Sequence, residues 1–583
     1  MRNHTKTFLS KHNVILDDIL IILIMAVLAG CGLIYEYLLS HYAARVLGTV
    51  ENTIFAMIGI MIVAMGVGAF AAKKVKDAFS GFAWLEVAIA LIGLSSVFLI
   101  ALIFSLANTF PLLIAETYGL PPDLSPQGGI LKTVENIAAF SPYFIGFLLG
   151  FLIGIEIPLI ARIRESIYQT HISNNAGTVY GADYIGAGIG AAIWVLFMLS
   201  MEISTAAAAT ASANLIAGLI FYFRYHKKIR YSHFYLLCQL ILVASTLVVF
   251  KYGQTWELTL EETLYKDKVI YSAHTKYQHV TVTQRIMDPS NPPIYSLFIN
   301  GRTQFSSIDE AIYHEMLVHP AMSASANQKN ILIVGGGDGL AAREVLKWQP
   351  ESVTLLDLDQ SIIQFFSEEK FDEESGFITN APLLKLNKNA LTDERLNIEI
   401  GDAFNKIDDF LKKALIYDTI IVDLPDPSHP DLNKLYSDRF YQKLALLLAG
   451  DGAMVIQSTS PYHAKEAFIS IGKTVKSAGL LHVEQFHTNV PSFGEWGWTI
   501  ATKNGQSALS RLKSKNTLPI KTQWLTLDLA KASFHFPHNY FGSIKNIQIN
   551  TLGSHTLYNY HQNAWQREQG IYNISSDTMN ENL

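Results

Sequence analysis

The chain has 583 residues, half of them hydrophobic, and a positive mean hydropathy of +0.23. This length excludes a single ordinary domain, and this hydropathy excludes a purely soluble protein. The net charge is −6, and basic residues form no stripe with interleaved aromatic residues, so nucleic-acid binding is not expected.

Seven apolar segments before residue 252 approach the length of a bilayer crossing. They cover residues 16–39, 53–72, 82–106, 140–160, 185–199, 206–223 and 234–250. The first lacks a small-residue cleavage site and leads into further segments, which indicates a retained helix rather than a signal peptide. Both cysteines, Cys31 and Cys238, fall inside these segments, so neither a disulfide framework nor a Cys-based metal site is predicted. The pattern predicts an α-helical membrane domain over residues 1–252.

The positions of Lys and Arg predict an N-terminus in the cytoplasm. Basic residues precede the first segment and follow the second, fourth and sixth: Arg2, Lys6, Lys11, Lys73, Lys74, Lys76, Arg162, Arg164, Arg224, Lys227, Lys228 and Arg230. Seven crossings from that start would place the second half of the chain outside, whereas an enzyme using an intracellular nucleotide should face the cytoplasm. Either one segment does not cross, the long third connection hides another crossing, or the second half is external. We nevertheless expect a multi-pass protein of the inner cell membrane with its catalytic half in the cytoplasm, although seven crossings would place that half outside.

Three carboxylates lie in or at the edge of the apolar segments: Glu36, Glu156 and Asp183. Charged groups inside a bilayer are costly, which makes them functional candidates. In the alternative interpretation they pair with basic groups near the interface and only fix helix packing; the candidate partners are Arg45, Arg162 and His41.

After the apolar half, short alternating strands predict a small antiparallel β unit over residues 253–305. The predicted strands cover residues 268–272, 279–285 and 294–299, with turn residues at Asn300 and Gly301. A helix with two histidines follows over residues 309–320. Because His314 and His319 are five residues apart rather than four, they do not align as ligands on one helical face, and no metal site is predicted.

Residues 331–359 predict a strand, a Gly-rich turn, a helix and a second strand, the first βαβ unit of a Rossmann-like nucleotide-binding sheet. The glycines of residues 335–339 allow a ligand to approach the backbone closely. Asp357 lies about 20 residues further on, where a carboxylate can bind both hydroxyls of a ribose. Asp338, inside the turn, would repel a pyrophosphate and suits a cationic sulfonium nucleoside better than NAD.

The alternation of strands and helices continues over residues 306–540, and residues 541–583 are predicted to be a tail, disordered from residue 572. Five carboxylates follow predicted strands: Asp338, Asp357, Asp402, Asp423 and Asp426. Ligands collect at the carboxyl ends of the strands in such a sheet. Helix capping could account for one or two of the five. The whole cluster suits a substrate with several positive charges.

At these residues the chain resembles the spermidine synthases, or polyamine aminopropyltransferases, over residues 256–503. The motifs are Tyr277-Gln278, the turn of residues 301–304 with Tyr313-His314-Glu315, the Gly-rich turn with Asp338, Gly401-Asp402, and Asp423-x-x-Asp426-Pro427. The apolar half resembles a membrane domain fused to some bacterial members. Soluble members form dimers or tetramers, which leaves a homo-oligomer open for this chain.

The resemblance implies transfer of an aminopropyl group from decarboxylated S-adenosylmethionine to putrescine or a related amine, with release of methylthioadenosine and no metal or further cofactor. The implied donor contacts are Gln278, His314, Asp338, Asp357, Asp402 and Ala403. Asp423 would be the catalytic carboxylate, and Tyr313 and Asp426 would hold the amine. A carboxylate can accept the proton that the amine must lose before it attacks.

Three departures from the soluble members touch the acceptor side: Asn300, the Pro-rich loop after Asp426, and Phe493 where a Tyr is common. Two alternatives to the aminopropyltransferase interpretation also stay open. One is a methyltransferase that uses S-adenosylmethionine, although Asp338 would repel the carboxylate of that donor. The other is a transporter or sensor whose soluble half binds polyamine, although the presence of Asp423 with Tyr313 argues against an inactive enzyme domain.

Overall fold

The computed structural model describes residues 2–47, 50–118, 129–169, 174–199, 201–265, 267–369, 380–542, 544 and 546–568. The predicted disordered end, from residue 572, lies outside these ranges. The chain forms two compact units, Met1–Thr283 with Ile299–Arg302, and Gln284–Phe298 with Thr303–Leu583. The domain limits predicted from the sequence stay a prediction.

Seven long apolar helices build the first unit. They are α1 (Arg2–Leu47), α2 (Val50–Ala71), α3 (Ala78–Thr117), α4 (Gly129–Tyr168), α5 (Asn175–Ile193), α6 (Ile203–Tyr225) and α7 (Ser232–Tyr265). Each predicted apolar segment falls on one of these helices, and all seven are long and apolar enough to cross a membrane. The helical region is therefore as predicted.

Two helices are longer than the sequence pattern indicated. A π-helical turn, Trp194–Met198, extends α5, so that the apolar stretch runs from Asn175 to Met198. Helix α7 continues through residue 252 to Tyr265, and Glu257 near its end accepts from Arg45 of α1 at 3.1 Å. The segments of residues 185–199 and 234–250 are therefore both parts of complete helices, and the conflict over the side of the membrane stays open.

A four-stranded sheet follows, in the order β1 (Lys268–His274), β2 (His279–Arg285), β3 (Ile294–Ile299) and β4 (Arg302–Ser306). The sequence predicted the first three strands and missed β4. Asn300 and Gly301, between β3 and β4, have φ angles of 50° and 76°. A two-residue turn with positive φ at both positions favours Asn-Gly, so Asn300 fits this turn.

The second unit contains a seven-stranded sheet in the order β10-β11-β9-β8-β5-β6-β7. Its strands are β5 (Asn330–Gly335), β6 (Ser352–Asp357), β7 (Leu396–Ile400), β8 (Tyr417–Asp423), β9 (Leu448–Gln457), β10 (His482–Val490) and β11 (Gly494–Thr502). Strands β5 to β9 pair in parallel, while β11 pairs antiparallel with both β9 and β10. This is the predicted Rossmann-like sheet.

The helices around this sheet are mostly short. They are α8 (Glu310–Ala324), α9 (Leu340–Leu346), α10 (Gln360–Ser367), α11 (Ala381–Leu386), α12 (Ala403–Lys412), α13 (Asp438–Leu447), α14 (Lys465–Ser477), α15 (Ala508–Lys513), α16 (Leu527–Ala532) and α17 (Thr556–Glu568). The central strands β5 and β8 are apolar and almost fully buried, as strands covered on both faces must be. In the β5–β8 register Gly335 pairs with Asp423, which brings the two loops after these strands together.

Candidate active site

The Gly-rich turn after β5 passes closely between two carboxylates. Gly335 and Gly336 have φ angles of 85° and 70°, which favour glycine. A Cβ on Gly335 would collide with the carbonyl oxygen of Asp423, and one on Gly337 would lie 2.8 Å from Oδ2 of Asp357. The glycines are therefore required by close approach to the ends of β8 and β6.

Asp357 ends β6 beside this turn. Its Oδ1 accepts a hydrogen bond from the Asp359 backbone N–H at 2.9 Å. Burial raises the pKa of Asp357 to about 6, and the nearby charges of Asp359 and Asp338 add to this increase. A carboxylate at this strand end can accept hydrogen bonds from two hydroxyl groups of a ribose.

Asp338 lies within the turn, just before α9. Its Oδ1 accepts from the Leu340 backbone N–H at 2.9 Å, and its carbonyl oxygen accepts from Asn387 Nδ2 at 2.9 Å. Burial raises the pKa of Asp338 to about 6; the charge of His314 opposes this increase and that of Asp423 adds to it. The structure thus brings Asp338, His314 and Asp423 within electrostatic range of one another.

Asp423, at the end of β8, pairs with a tyrosine of α8. Tyr313 Oη donates to Asp423 Oδ1 at 2.8 Å. Burial raises the pKa of Asp423, while the charge of His314 and the Tyr313 hydrogen bond lower it. Asp423 is therefore a better proton acceptor than an exposed aspartate.

His314 is buried next to Tyr313, and an acidic residue one turn earlier supports it. Its Nδ1 lies 2.8 Å from the Glu310 carbonyl oxygen and 3.0 Å from Glu310 Oε2. Burial alone would lower the pKa of His314, but the hydrogen bond and charge of Glu310 outweigh it and raise the pKa to about 9. Arg343 donates to both oxygens of Glu310 at 2.8 Å. The sequence interpretation missed Glu310 and Arg343, although the Glu310-x-x-x-His314 spacing was a signal for this pair.

Asp426 is held by three side chains, two from the end of β9 and the residues just after it, and one from α17. Gln457 Nε2 donates to its Oδ1 at 3.0 Å, and Thr459 Oγ1 donates to its Oδ2 at 3.2 Å. His561 of α17 places Nε2 3.2 Å from the same Oδ2. The sequence interpretation missed these supports, because no local motif links them to Asp426.

Asp402 caps α12 and is anchored by a lysine. Its side chain accepts from the Phe404 backbone N–H at 2.9 Å and forms an ion pair with Lys434. Ala403 is the first residue of α12. Capping thus accounts for one of the five carboxylates, as the sequence allowed. Gln278 belongs to the other compact unit, and its donor contact stays a prediction.

Aromatic side chains surround Tyr313. The ring of Phe493 lies edge-on to Tyr313 with centroids 5.9 Å apart, and Trp498 lies at 5.7 Å. Asp309, just before α8, accepts from the Ser492 backbone N–H at 2.6 Å, which ties the β10–β11 turn to this helix. Phe493 packs here without the hydroxyl that a Tyr would provide.

Glu315, His319 and Glu344 form the one trio of metal-type side chains close together within the described ranges. Their ligand atoms lie within 4.8 Å of one another, and all three residues are buried. Glu315 accepts from the backbone N–H groups of residues 523–525 at 2.6, 2.9 and 2.8 Å, and Lys347 lies 2.5 Å from Glu344. The acids are thus already neutralised by the protein.

The sheet and the side chains at the carboxyl ends of its strands define a class of protein. A parallel sheet with a Gly-rich turn after one strand and a carboxylate at the tip of its neighbour is the architecture of nucleotide-binding α/β proteins. The acidic turn and the Tyr313–Asp423 pair place a proton acceptor beside that nucleotide site.

Known proteins narrow this class to one family. The spermine/spermidine synthase domain matches residues 310–513. A polyamine aminopropyltransferase of Shewanella oneidensis is 53% identical over 95% of this chain and 96% of its own length. One from Oceanobacillus iheyensis is 32% identical over 92% of this chain and 95% of its own. A spermidine synthase solved in complex with the transition-state analogue AdoDATO covers 47% of this chain at 24% identity, with a TM-score of 0.41. The chain belongs to the polyamine aminopropyltransferase family, and both full-length relatives extend over the helical half.

Proposed function

We propose that this aminopropyltransferase moves the aminopropyl group of decarboxylated S-adenosylmethionine onto putrescine, giving spermidine and methylthioadenosine. The observation that carries the proposal is the Tyr313–Asp423 hydrogen bond of 2.8 Å, beside a Gly-rich turn that contains Asp338. This arrangement combines a proton acceptor with an acidic nucleoside site.

The donor side uses the ends of β5 and β6. Asp357 is proposed to bind the ribose hydroxyls, and Asp338 lies where it can attract a sulfonium and the terminal amine of the aminopropyl chain. The intact S-adenosylmethionine carries an additional carboxylate, which buried Asp338 would repel. This favours the decarboxylated donor over methyl transfer.

The acceptor side uses Asp423 and Asp426. Asp423 is proposed to take a proton from the attacking ammonium group as general base. Asp426, fixed by Gln457, Thr459 and His561, is proposed to hold the distal ammonium group. Both carboxylates lie within electrostatic range of Tyr313, and two carboxylates suit a diamine better than a monoamine.

The transfer balances without a further reagent. The amine lone pair forms a bond to the methylene carbon next to sulfur, and the carbon–sulfur bond breaks with its electron pair remaining on sulfur. The sulfonium becomes a neutral thioether, while the proton passes to Asp423 and then to water. Alignment of nitrogen, carbon and sulfur is expected to supply much of the rate.

Purified, detergent-solubilised enzyme tests the assignment. It would be incubated with decarboxylated or intact S-adenosylmethionine and a panel of amines, and methylthioadenosine and methylated products would be quantified separately. We expect methylthioadenosine only from the decarboxylated donor, with putrescine giving the highest kcat/KM. A preference for another amine would contradict the assignment of putrescine as the acceptor. Methylated product from the intact donor would contradict the assignment of decarboxylated S-adenosylmethionine as the donor.

We also propose that α1 to α7 anchor the enzyme in the inner membrane. Their lengths and apolar character support this, and the relatives share the helical half. A C-terminal reporter active in only one compartment would determine the side of the membrane. A signal from the cytoplasm would show that one helix does not cross or that another crossing exists.

A further inference from the structure

Two glutamates are buried in the interior of the helical unit. Glu86 of α3 is fully buried, and Glu156 of α4 is 2% exposed. Asn214 of α6 donates from Nδ2 to Glu86 Oε2 at 2.9 Å. Within the described residues, Glu86 Oε1, Glu156 Oε2 and Asn214 Oδ1 have no hydrogen-bond partner. The two carboxylates lie within electrostatic range of each other.

Two further buried oxygens without partners extend this group. Gln239 of α7 donates from Nε2 to Tyr235 Oη at 2.7 Å, while its Oε1 has no partner among the described residues. Tyr235 donates in turn to the carbonyl oxygen of Gly218, one turn after Asn214 on α6. Tyr35 Oη of α1 is also without a partner, within electrostatic range of Glu86. We name Tyr35, Glu86, Glu156, Asn214 and Gln239 the helical acidic cluster.

The helical acidic cluster lacks a positive group. Over the described ranges neither Glu86 nor Glu156 forms an ion pair. Arg45, one of the candidate partners named from the sequence, pairs with Glu257. A buried charge is costly unless it is paired, and buried polar atoms normally have partners. Several acceptor oxygens on five helices, without a matching cation among the described residues, therefore describe an incomplete binding site.

We propose that the helical acidic cluster binds an ammonium group of an alkyl polyamine. A primary ammonium group offers three N–H donors and one charge, which match a carboxylate together with neutral oxygens of amide and phenol groups. Glu86 and Glu156 stand on different helices, which suits an extended ligand with more than one nitrogen. The choice of a polyamine, rather than another organic cation, rests on the proposed function of the second unit.

Binding stoichiometry of the full-length chain tests this site. Radiolabelled spermidine would be titrated by equilibrium dialysis into the detergent-solubilised protein, in which one site in each unit is expected. Glu86→Gln and Glu156→Gln should each reduce two sites to one, or weaken the second site by at least about tenfold, while aminopropyl transfer stays at the wild-type rate. Glu135→Gln is the matched control, because Glu135 lies on α4 with its side chain 55% exposed.

Two kinds of result would overturn the inference: a missing or unchanged second site, and a site that sodium occupies. Wild-type protein with a single site, or Glu variants that keep two, would show that the cluster does not bind spermidine. Displacement of the second spermidine by stoichiometric sodium would assign the site to an inorganic cation. If a Glu variant does not fold, Gln239→Met removes a partnerless oxygen at similar volume and should also weaken the second site. Loss of transfer in wild-type protein that retains the second site would contradict the proposed function but not this inference.

Discussion

Replacement of Asp423 by Asn separates catalysis from donor binding. The amide retains the size of the carboxylate and can still accept the 2.8 Å hydrogen bond from Tyr313, but it cannot take the proton of the amine. General-base catalysis typically contributes about 10²- to 10⁴-fold. We expect kcat to fall by that factor, about 3 to 5 kcal/mol, while the donor Kd changes by less than about tenfold.

The pH profile provides a second readout of the same assignment. Asp423 must be ionised to act as a base, and burial raises its pKa, so the acid limb of kcat/KM should lie above that of an ordinary aspartate. The Tyr313 hydrogen bond lowers this pKa. Tyr313→Phe should therefore move the acid limb to higher pH while retaining more activity than Asp423→Asn.

The assay is single-turnover release of methylthioadenosine, with donor Kd from calorimetry. Asp528→Asn is the control, since its side chain is 98% exposed and only 4.0 Å from Lys531. If Asp423→Asn keeps kcat within about threefold of wild type, below 1 kcal/mol, Asp423 is not the base. If donor affinity falls as far as kcat, its role is in binding.

Three further substitutions test residues of the candidate active site. Asp338→Asn should reduce discrimination against intact S-adenosylmethionine by about tenfold in calorimetric Kd ratios; unchanged ratios would remove Asp338 from donor selection. Asp357→Asn should raise the Tm of the ligand-free enzyme at pH 8, and a lower Tm would contradict this sign. The pKa of Asp357 in the folded protein is about 6, so the folded state loses stability as the pH rises from about 4 to 6. Asn avoids this cost of about 3 kcal/mol. His561→Gln should raise the amine KM severalfold with kcat and donor Kd unchanged, and a parallel fall in Tm and kcat would indicate a purely structural role.

The sequence predicted the elements whose signal is local. The Gly-rich turn, the strand before Asp357 and the strand ending at Asp423 each carry their own pattern, and the structure contains all three. Strand β4 was missed because Arg302–Ser306 is short and polar at its start. Asp402 could be interpreted either as a cap or as a ligand, and the structure shows the cap contact.

Contacts between distant parts of the chain were beyond sequence pattern. His561 reaches Asp426 across 135 positions, and Asn214 reaches Glu86 across 128, so no spacing rule connects either pair. Glu86 was not among the predicted intramembrane carboxylates, although it lies near the start of an apolar segment. Only the packing of α3 against α6 shows that this carboxylate is buried.

The hydrogen bonds at the rim explain why Asp423, rather than Asp426, is the better candidate for the base. Asp426 accepts from Gln457 and Thr459 and contacts His561, so its two oxygens are oriented by protein donors before any ligand arrives. Hydrogen bonds to a carboxylate favour its charged form and make it a weaker proton acceptor. Among the described residues Asp423 has one side-chain donor, Tyr313. Its Oδ2 lies 3.2 Å from the Cβ position of Gly336 in the Gly-rich turn. Asp423, whose pKa burial raises, thus faces the proposed donor, while Asp426 remains the proposed partner of the second ammonium group of a diamine.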